Sequence, residues 1–391
     1  MFLFLAERRL FLNKVKEFIK KYFNAVDKWL LFFCLSISTI GILCQYSLVN
    51  SNVAATLKIS ERVALVQIIA SLLGLFAAFV LSNIDYHFMT KLWKLYMPIA
   101  LFLVILTFFI GVQVDETIDD KAWLKLPFGM TFQPSELLKI CFIMSFAYHL
   151  SRVYGQLNKP TNVALLCLHG AVPLMLVVLQ GDDGTALVFG FIFVTMLFAA
   201  GLSWKYIIAA IPVAAAAIPI AWQYILTDDQ RRRFLSVYFT EYADPLGSDY
   251  QQRLGRISIG LGQLQGEGLF KEDYWYVPEM QNDFVFSFIC QALGFVGALI
   301  VVALLCGICF RCISDAKTAL DPLGAYICYG VFAMFFFQCV INIGMCISVL
   351  PVIGITLPLL SAGGTSISIT YLGIGLVLSV HVHKRRNLFY E

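Results

Sequence analysis

Apolar runs of about 20 residues, the length that crosses a bilayer as an α-helix, recur along nearly the whole chain and are separated by short polar connections. They fall at 29–49, 63–83, 95–113, 134–150, 162–179, 184–201, 204–224, 283–311, 322–349 and 365–383. The break at Gln180–Gly184 divides what would otherwise be one overlong segment. The pattern predicts an all-α polytopic membrane protein of about ten transmembrane helices. A large outer loop, 225–282, joins helices seven and eight. Residues 1–28 read as a cytoplasmic amphipathic segment, 29–383 as the membrane domain and 384–391 as a basic cytoplasmic tail.

Composition agrees with the pattern. Of 391 residues, 60% are hydrophobic and 14% charged, and the mean hydropathy is +0.80; soluble domains keep about 25% charged. A net charge of +3 is too small to imply a nucleic-acid partner. The 11 cysteines mostly lie inside apolar runs, where a thiol behaves as a small hydrophobe, and no disulfide framework emerges. Cys306, Cys309 and Cys312 in "CGICFRC" have no fourth ligand nearby, which argues against a structural zinc site. Cys312 could be acylated, though nothing in the sequence requires it.

Orientation follows from charge. Arg8, Arg9, Lys14, Lys16, Lys20, Lys21 and Lys28 crowd the N-terminus, and the chain ends "HVHKRRNLFYE". Positive residues stay on the cytoplasmic side, so both termini are expected there and the number of spans must be even. Phe11, Val15, Phe18, Ile19, Phe23 and Val26 recur at helical spacing among lysines, predicting an amphipathic helix over 8–27 on the inner surface. The outward segments are then 50–62, 112–133, 180–183, 225–282 and 350–364, and they hold almost all the unusual polar sequence. The outer face is the working face.

Four stretches there carry candidate chemistry. In "QPSELLK", Pro134 starts a helix while Glu136 and Lys139, three apart, project from one face just inside the membrane. Charges at that depth cost several kcal/mol and usually mark a site or a water-filled cavity; the plain alternative is an ion pair locking two helices. In "QGDDGT", Gly181 and Gly184 supply a tight turn and Asp182 or Asp183 can cap the next helix. Capping explains one acid of the two, and Asp182 is a natural partner for Lys139. In the long loop, Arg253 and Arg256 stand among Ile257, Ile259 and Leu261 in a half-buried stretch. They suit either a solvated surface or a lipid phosphate or pyrophosphate. Gly255, Gly260, Gly262, Gly266 and Gly268 suit close approach to a ligand or a re-entrant turn.

The fourth stretch is "PEMQNDFVFSF", which sets Asp283 at the head of an apolar run, as a helix cap or as a proton acceptor. Near the end, "VLPVIGITLPLLSAGGTS", with Ser361, Gly363 and Gly364, is irregular backbone that membrane depth tolerates only around a protein-walled cavity. His169, Gln291, Gln338 and Asn342 read as interhelical hydrogen bonders.

Together "QPSELLK", "QGDDGT", "DPLGSDYQ", "PEMQNDFVFSF" with "LGFVGA", and "NIGM…LPVIGITLPLLSAGGTS" resemble the SEDS proteins, the RodA/FtsW/SpoVE group, in order and spacing across every span. The resemblance implies a ten-span peptidoglycan glycosyltransferase of the bacterial cytoplasmic membrane. Such proteins polymerise lipid II, carried on undecaprenyl pyrophosphate, with a class B penicillin-binding protein as partner. "NIGM" followed by "LPV" is more similar to RodA, the elongation member, than to FtsW. The essential aspartate of the family's loop falls on Asp283, its intramembrane pair on Glu136 and Lys139, a turn acid on Asp182, and the arginine heading the second span on Arg62.

There are departures. Gln291 and Ala292 stand where the family has two glutamates, Ala362 where it has tyrosine, and Lys121, Ala122 and Trp123 where an arginine precedes the tryptophan. No cofactor is required by the sequence, although a divalent cation (Mg or Mn) would suit a pyrophosphate leaving group. The rival readings are a lipid flippase or transporter, a non-catalytic scaffold, and an FtsW-like division paralogue.

Overall fold

The computed structural model describes residues 16–17, 20–57, 59–112, 121–125, 131–239, 241 and 248–388. Each predicted run coincides with a helix: α1 Lys28–Val49, α3 Arg62–Asn83, α5 Trp93–Ile110, α6 Pro134–Arg152, α7 Pro160–Leu179, α8 Asp183–Ala199, α9 Trp204–Ile220, α12 Val285–Lys317, α13 Pro322–Cys346 and α14 Gly364–Leu388. Short helices α2 (Val53–Leu57), α4 (Tyr86–Lys91), α10 (Asp228–Tyr238) and α11 (Ser248–Leu261) lie in the connections. A two-stranded hairpin, β1 Leu124–Lys125 with β2 Thr131–Phe132, precedes α6.

Among the described residues, eight helices are long and apolar enough to cross a membrane. α9 reaches that length because it continues through a π-helical turn, Ala221–Ile225; of the other two, α8 stops at 17 residues and α6 carries Glu136, Lys139 and Arg152. The chain is a multi-pass membrane protein. Most of the N-terminal stretch 8–27 lies outside the described residues. Its last turn packs into the bundle, with the Tyr22 hydroxyl 2.8 Å from Ser82 Oγ and its ring against Phe79.

Small residues set the tightest helix pairing. A Cβ on Gly375 of α14 would lie 2.7 Å from the Ala78 Cα of α3, and one on Gly74 of α3 would lie 2.8 Å from the Tyr371 ring. Close backbone approach of this kind is how helices gain contact in lipid, where apolar burial drives little. Gly375→Val forces α3 and α14 apart. An overpacking cost of about 1–3 kcal/mol is expected, read as a lowered unfolding temperature in detergent.

α9 is different, because none of its described residues is buried. α12 is also unusual: Gly294, at φ 70° and ψ −173°, breaks it after Val285–Leu293, a kink that the unbroken span 283–311 did not anticipate.

Hydrogen bonds show which helix ends lie together. Gln45 near the end of α1 and Gln67 near the start of α3 both donate to the Leu360 carbonyl. Thr365 at the start of α14 donates to the Thr131 carbonyl, just before α6. Gln230 of α10 donates to Asp183 at the start of α8, and Tyr238 donates to the Val349 carbonyl beyond α13. All five segments expected on one face therefore gather at one end of the bundle, the end that holds Asp283.

Candidate active site

The site is built on two irregular segments, 278–284 and 350–363, fastened together by buried amides and one hydroxyl. Asn342 Nδ2 donates to the Asp283 carbonyl at 2.8 Å and the Ile355 carbonyl at 2.7 Å. Gln45 Nε2 donates to the Gln281 carbonyl at 2.8 Å, which also accepts the Ala362 N–H. Ser361 Oγ donates to the Asn282 carbonyl at 2.7 Å and accepts the Leu357 N–H. Four residues in or beside these segments have left-handed backbone: Glu279, Ser348, Gly354 and Leu359, at φ 54°, 59°, 72° and 66°. For the three that are not glycine, each costs on the order of 1–3 kcal/mol and persists only where the surroundings over-determine it. The two segments are held in shape by tertiary bonds rather than by local preference.

Asp283 sits half-buried at their junction. The N-cap of α12 is Phe284, so the acid lies one residue before the cap position. A Cβ built on Gly354 would lie 3.6 Å from Asp283 Oδ2, so glycine there leaves that flank of the carboxylate clear. Two neighbours complete the surroundings. Gly184 lets α8 approach the Ile353 carbonyl, which brings "QGDDGT" alongside. Gly255 of α11 rests against Phe284 and Ser287.

Glu136 and Lys139 form an ion pair of 2.6 Å, their side chains 9% and 1% exposed. Asp182 does not pair with Lys139 as its sequence position suggested. It caps α8 by accepting the Thr185 N–H at 2.9 Å, and its other oxygen accepts Gln133 Nε2 at 2.7 Å. Loss of water raises the pKa of the Asp182 carboxyl, an effect that the Thr185 bond and the Lys139 charge oppose. Lys139 thus acts on Asp182 through space, while Gln133 makes the contact.

The cations are less assembled. Arg62 heads α3 at this end and is exposed. Arg253 lies over the Tyr250 ring at 5.8 Å. It and Arg256 share the exposed face of α11, whose opposite face, with Gln252 and Gly255, is buried near Asp283. Ser361 is buried and its hydroxyl is committed to protein partners, whereas Gly363 and Gly364 are half-buried.

Gln45, Gln67, Gln133 and Gln230 were missed in the sequence, although lone amides in or beside apolar runs are the signal that pointed to Asn342 and Gln291. Among the described residues, one group of three His, Cys, Asp or Glu ligand atoms lies within 4.8 Å of one another: Asp27, Asp315 and His381. It is at the far end of the bundle from Asp283, and Arg311 already supplies its cation, donating to Asp27 at 2.7 Å. Cys306, Cys309 and Cys312 are exposed, half-buried and buried in turn and form no such group.

The fold and site define a polytopic helical membrane protein in which the strained loops and the Asp283, Glu136, Lys139 and Asp182 side chains lie at one end of the bundle. The chain belongs to the FtsW/RodA/SpoVE family of cell cycle proteins, whose model matches residues 28–386. It is 33% identical to the peptidoglycan glycosyltransferase MrdB of Escherichia coli K12 over 290 residues, 73% of this chain and 78% of that one. It is 29% identical to stage V sporulation protein E of Bacillus subtilis over 371 residues, 92% and 98% of the two chains. Among solved structures it resembles a chain from a study of the structural coordination of polymerization and crosslinking by a peptidoglycan synthase complex. That match has TM-score 0.77, 28% identity, and 92% and 98% coverage. It also resembles Thermus thermophilus rod shape determining protein RodA, with TM-score 0.66, 25% identity, and 91% and 97% coverage.

Proposed function

We propose that the protein is a peptidoglycan glycosyltransferase that polymerises lipid II on the outer face of the bacterial cytoplasmic membrane, serving elongation and cell shape. The observation that carries this reading is the Asp283 carboxylate, held half-buried at the junction of two stitched loops in a chain whose relatives are named for this activity. Asp283 takes the proton from the acceptor sugar hydroxyl as it attacks the donor's anomeric carbon. The bond to undecaprenyl pyrophosphate breaks and the configuration inverts. The cations of this end (Arg62, Lys139, Arg253 and Arg256) supply positive potential for the departing pyrophosphate. A divalent cation would add to that charge. Glu136, Lys139 and Asp182 hold the cavity wall, while Ser361, Gly363 and Gly364 form its rim. The basic flanks place both termini in the cytoplasm.

A class B penicillin-binding protein is the partner, because glycan strands polymerised at this end of the bundle must be coupled to crosslinking outside the membrane. Its membrane helix has apolar surface to meet on α12 and α13, where Phe295, Leu299, Phe336 and Val340 are exposed. Co-purification in mild detergent is expected; a strictly monomeric, unassisted and fully active enzyme would argue against the partnership.

The flippase reading draws on one observation, the broken helix α12, since transporters place substrate sites at such breaks. Here the break is filled by protein backbone, leaving no freed carbonyl to line a path. Purified protein given lipid II in detergent, where no bilayer or gradient exists, is expected to form glycan chains. A protein that only moves lipid II would form none.

A further inference from the structure

The break in α12 is repaired in an unusual way. In an unbroken helix the N–H groups of Phe295 and Val296 would donate to the carbonyls of Gln291 and Ala292. They donate instead to Gln263 and Leu264 at 2.8 and 3.2 Å, and those two helix carbonyls accept the Glu267 and Gly268 N–H groups at 2.8 and 2.9 Å. The segment 262–268 is thus spliced into the helix ladder, satisfying every backbone group that the kink releases. Glycine is required on both sides. A Cβ would meet the Cys290 carbonyl at 1.9 Å from Gly262, the Ala292 carbonyl at 2.4 Å from Gly266, and the Gly266 nitrogen at 2.2 Å from Gly294.

One side chain joins this splice to the rest of the long loop. Gln291, 1% exposed, donates Nε2 to Glu267 Oε2 at 2.8 Å and accepts Ser258 Oγ on Oε1 at 3.0 Å. A primary amide is the uncharged side chain that offers a donor and an acceptor at fixed geometry together. The splice also continues to another helix, because Phe270 N–H and Tyr274 bond Ser47 of α1. Val285–Leu293 is therefore a short rod with Asp283 at its head and this clamp at its foot.

We infer that Gln291 is a positioning residue for Asp283, fixing the rod that carries the carboxylate by fastening it to α11 and to the spliced segment 262–268. This rests on the reading of Asp283 as the base. Gln291 touches no substrate. Its loss lets the rod shift or turn, and misplacing a reacting group by about 1 Å costs up to about 100-fold in rate.

The test reverses the polarity of the clamp. Gln291→Glu alone sets two carboxylates 2.8 Å apart. The double variant Gln291→Glu/Glu267→Gln restores both clamp bonds, with a carboxylate at 291 accepting both Ser258 and the new amide at 267, and gives up only the half-exposed 3.6 Å pairing of Glu267 with Lys271. In lipid II polymerisation, Gln291→Glu is expected to lower kcat about 10- to 100-fold with KM changed less than about twofold. The double variant is expected to recover kcat to within about threefold of wild type. A purely structural clamp would lower the amount of folded enzyme and leave kcat per folded molecule unmoved. Wild-type kcat in Gln291→Glu, a change confined to KM, or a double variant no better than the single would overturn the inference. Asp283→Asn, assayed alongside, separates the two claims. If it is inactive while Gln291→Glu is normal, only the positioning role fails; if it is active, the base reading fails first.

Discussion

Asp283→Asn is expected to fold, insert and unfold at nearly the wild-type temperature, yet to form almost no glycan from lipid II. The structure separates the two jobs a carboxylate could do here. As a helix cap the residue would contribute about 0.5–2 kcal/mol, and asparagine serves as well as aspartate. The cap position of α12 belongs to Phe284. What anchors residue 283 to its surroundings includes its carbonyl, held by Asn342 at 2.8 Å, and this substitution leaves that bond intact. What it removes is the basic oxygen. General-base catalysis contributes about 10²–10⁴-fold, so at least a hundredfold loss in polymerisation with normal stability is expected. Thermal unfolding beside a lipid II assay checks both halves. Should more than a small fraction of wild-type activity remain, the base is another group; Glu279, which accepts both the Gln281 and Asn282 amides, becomes the next acid to test.

The second large effect is expected at Lys139. Lys139→Met strands the Glu136 carboxylate, whose 2.6 Å partner is lost inside the bundle. Removing one member of a buried pair costs on the order of 3–5 kcal/mol. It also removes the positive charge that Asp182 senses. Glu136→Gln/Lys139→Met leaves no stranded charge, so it is expected to recover most of the stability. Polymerisation should remain low in both, because the double variant restores neutrality but not the cation. If the double variant recovers activity along with stability, the pair only locks helices, which is the plain alternative that the three-residue spacing left open. If Lys139→Met polymerises normally, the cluster has no part in the reaction.

Residues differed in how much they announced themselves. Asp283, Glu136 and Lys139 stood out as charges within or at the head of apolar runs, where solvation penalties make an idle charge expensive. Gln133 and Gln45 did not, because a single amide carries no sign of which of several distant carbonyls it will meet. Asp182 was legible as a cap and misread as a salt-bridge partner: its distance from Lys139 depends on how α6 and α8 pack, and Gln133 fills that place. Arg253 and Arg256 were visible as outward cations, but only the burial of Gln252 and Gly255 shows that they lie on the face of α11 turned away from Asp283.

By itself the sequence determined the membrane class, the positions of the helices, the end of the bundle where the long polar segments gather, and the acid to test first. Those follow from local properties, since apolar length, charge placement and turn residues act within a few residues of where they are written. Tertiary structure alone decided the stitching of 278–284 to 350–363, the break at Gly294 and the splice that fills it. Each depends on backbone groups meeting hydrogen-bonding partners, main-chain or side-chain, some tens to more than two hundred positions away. At Gly294, the helical preference of an apolar run is overridden because a second strand of backbone supplies the hydrogen bonds that the helix gives up.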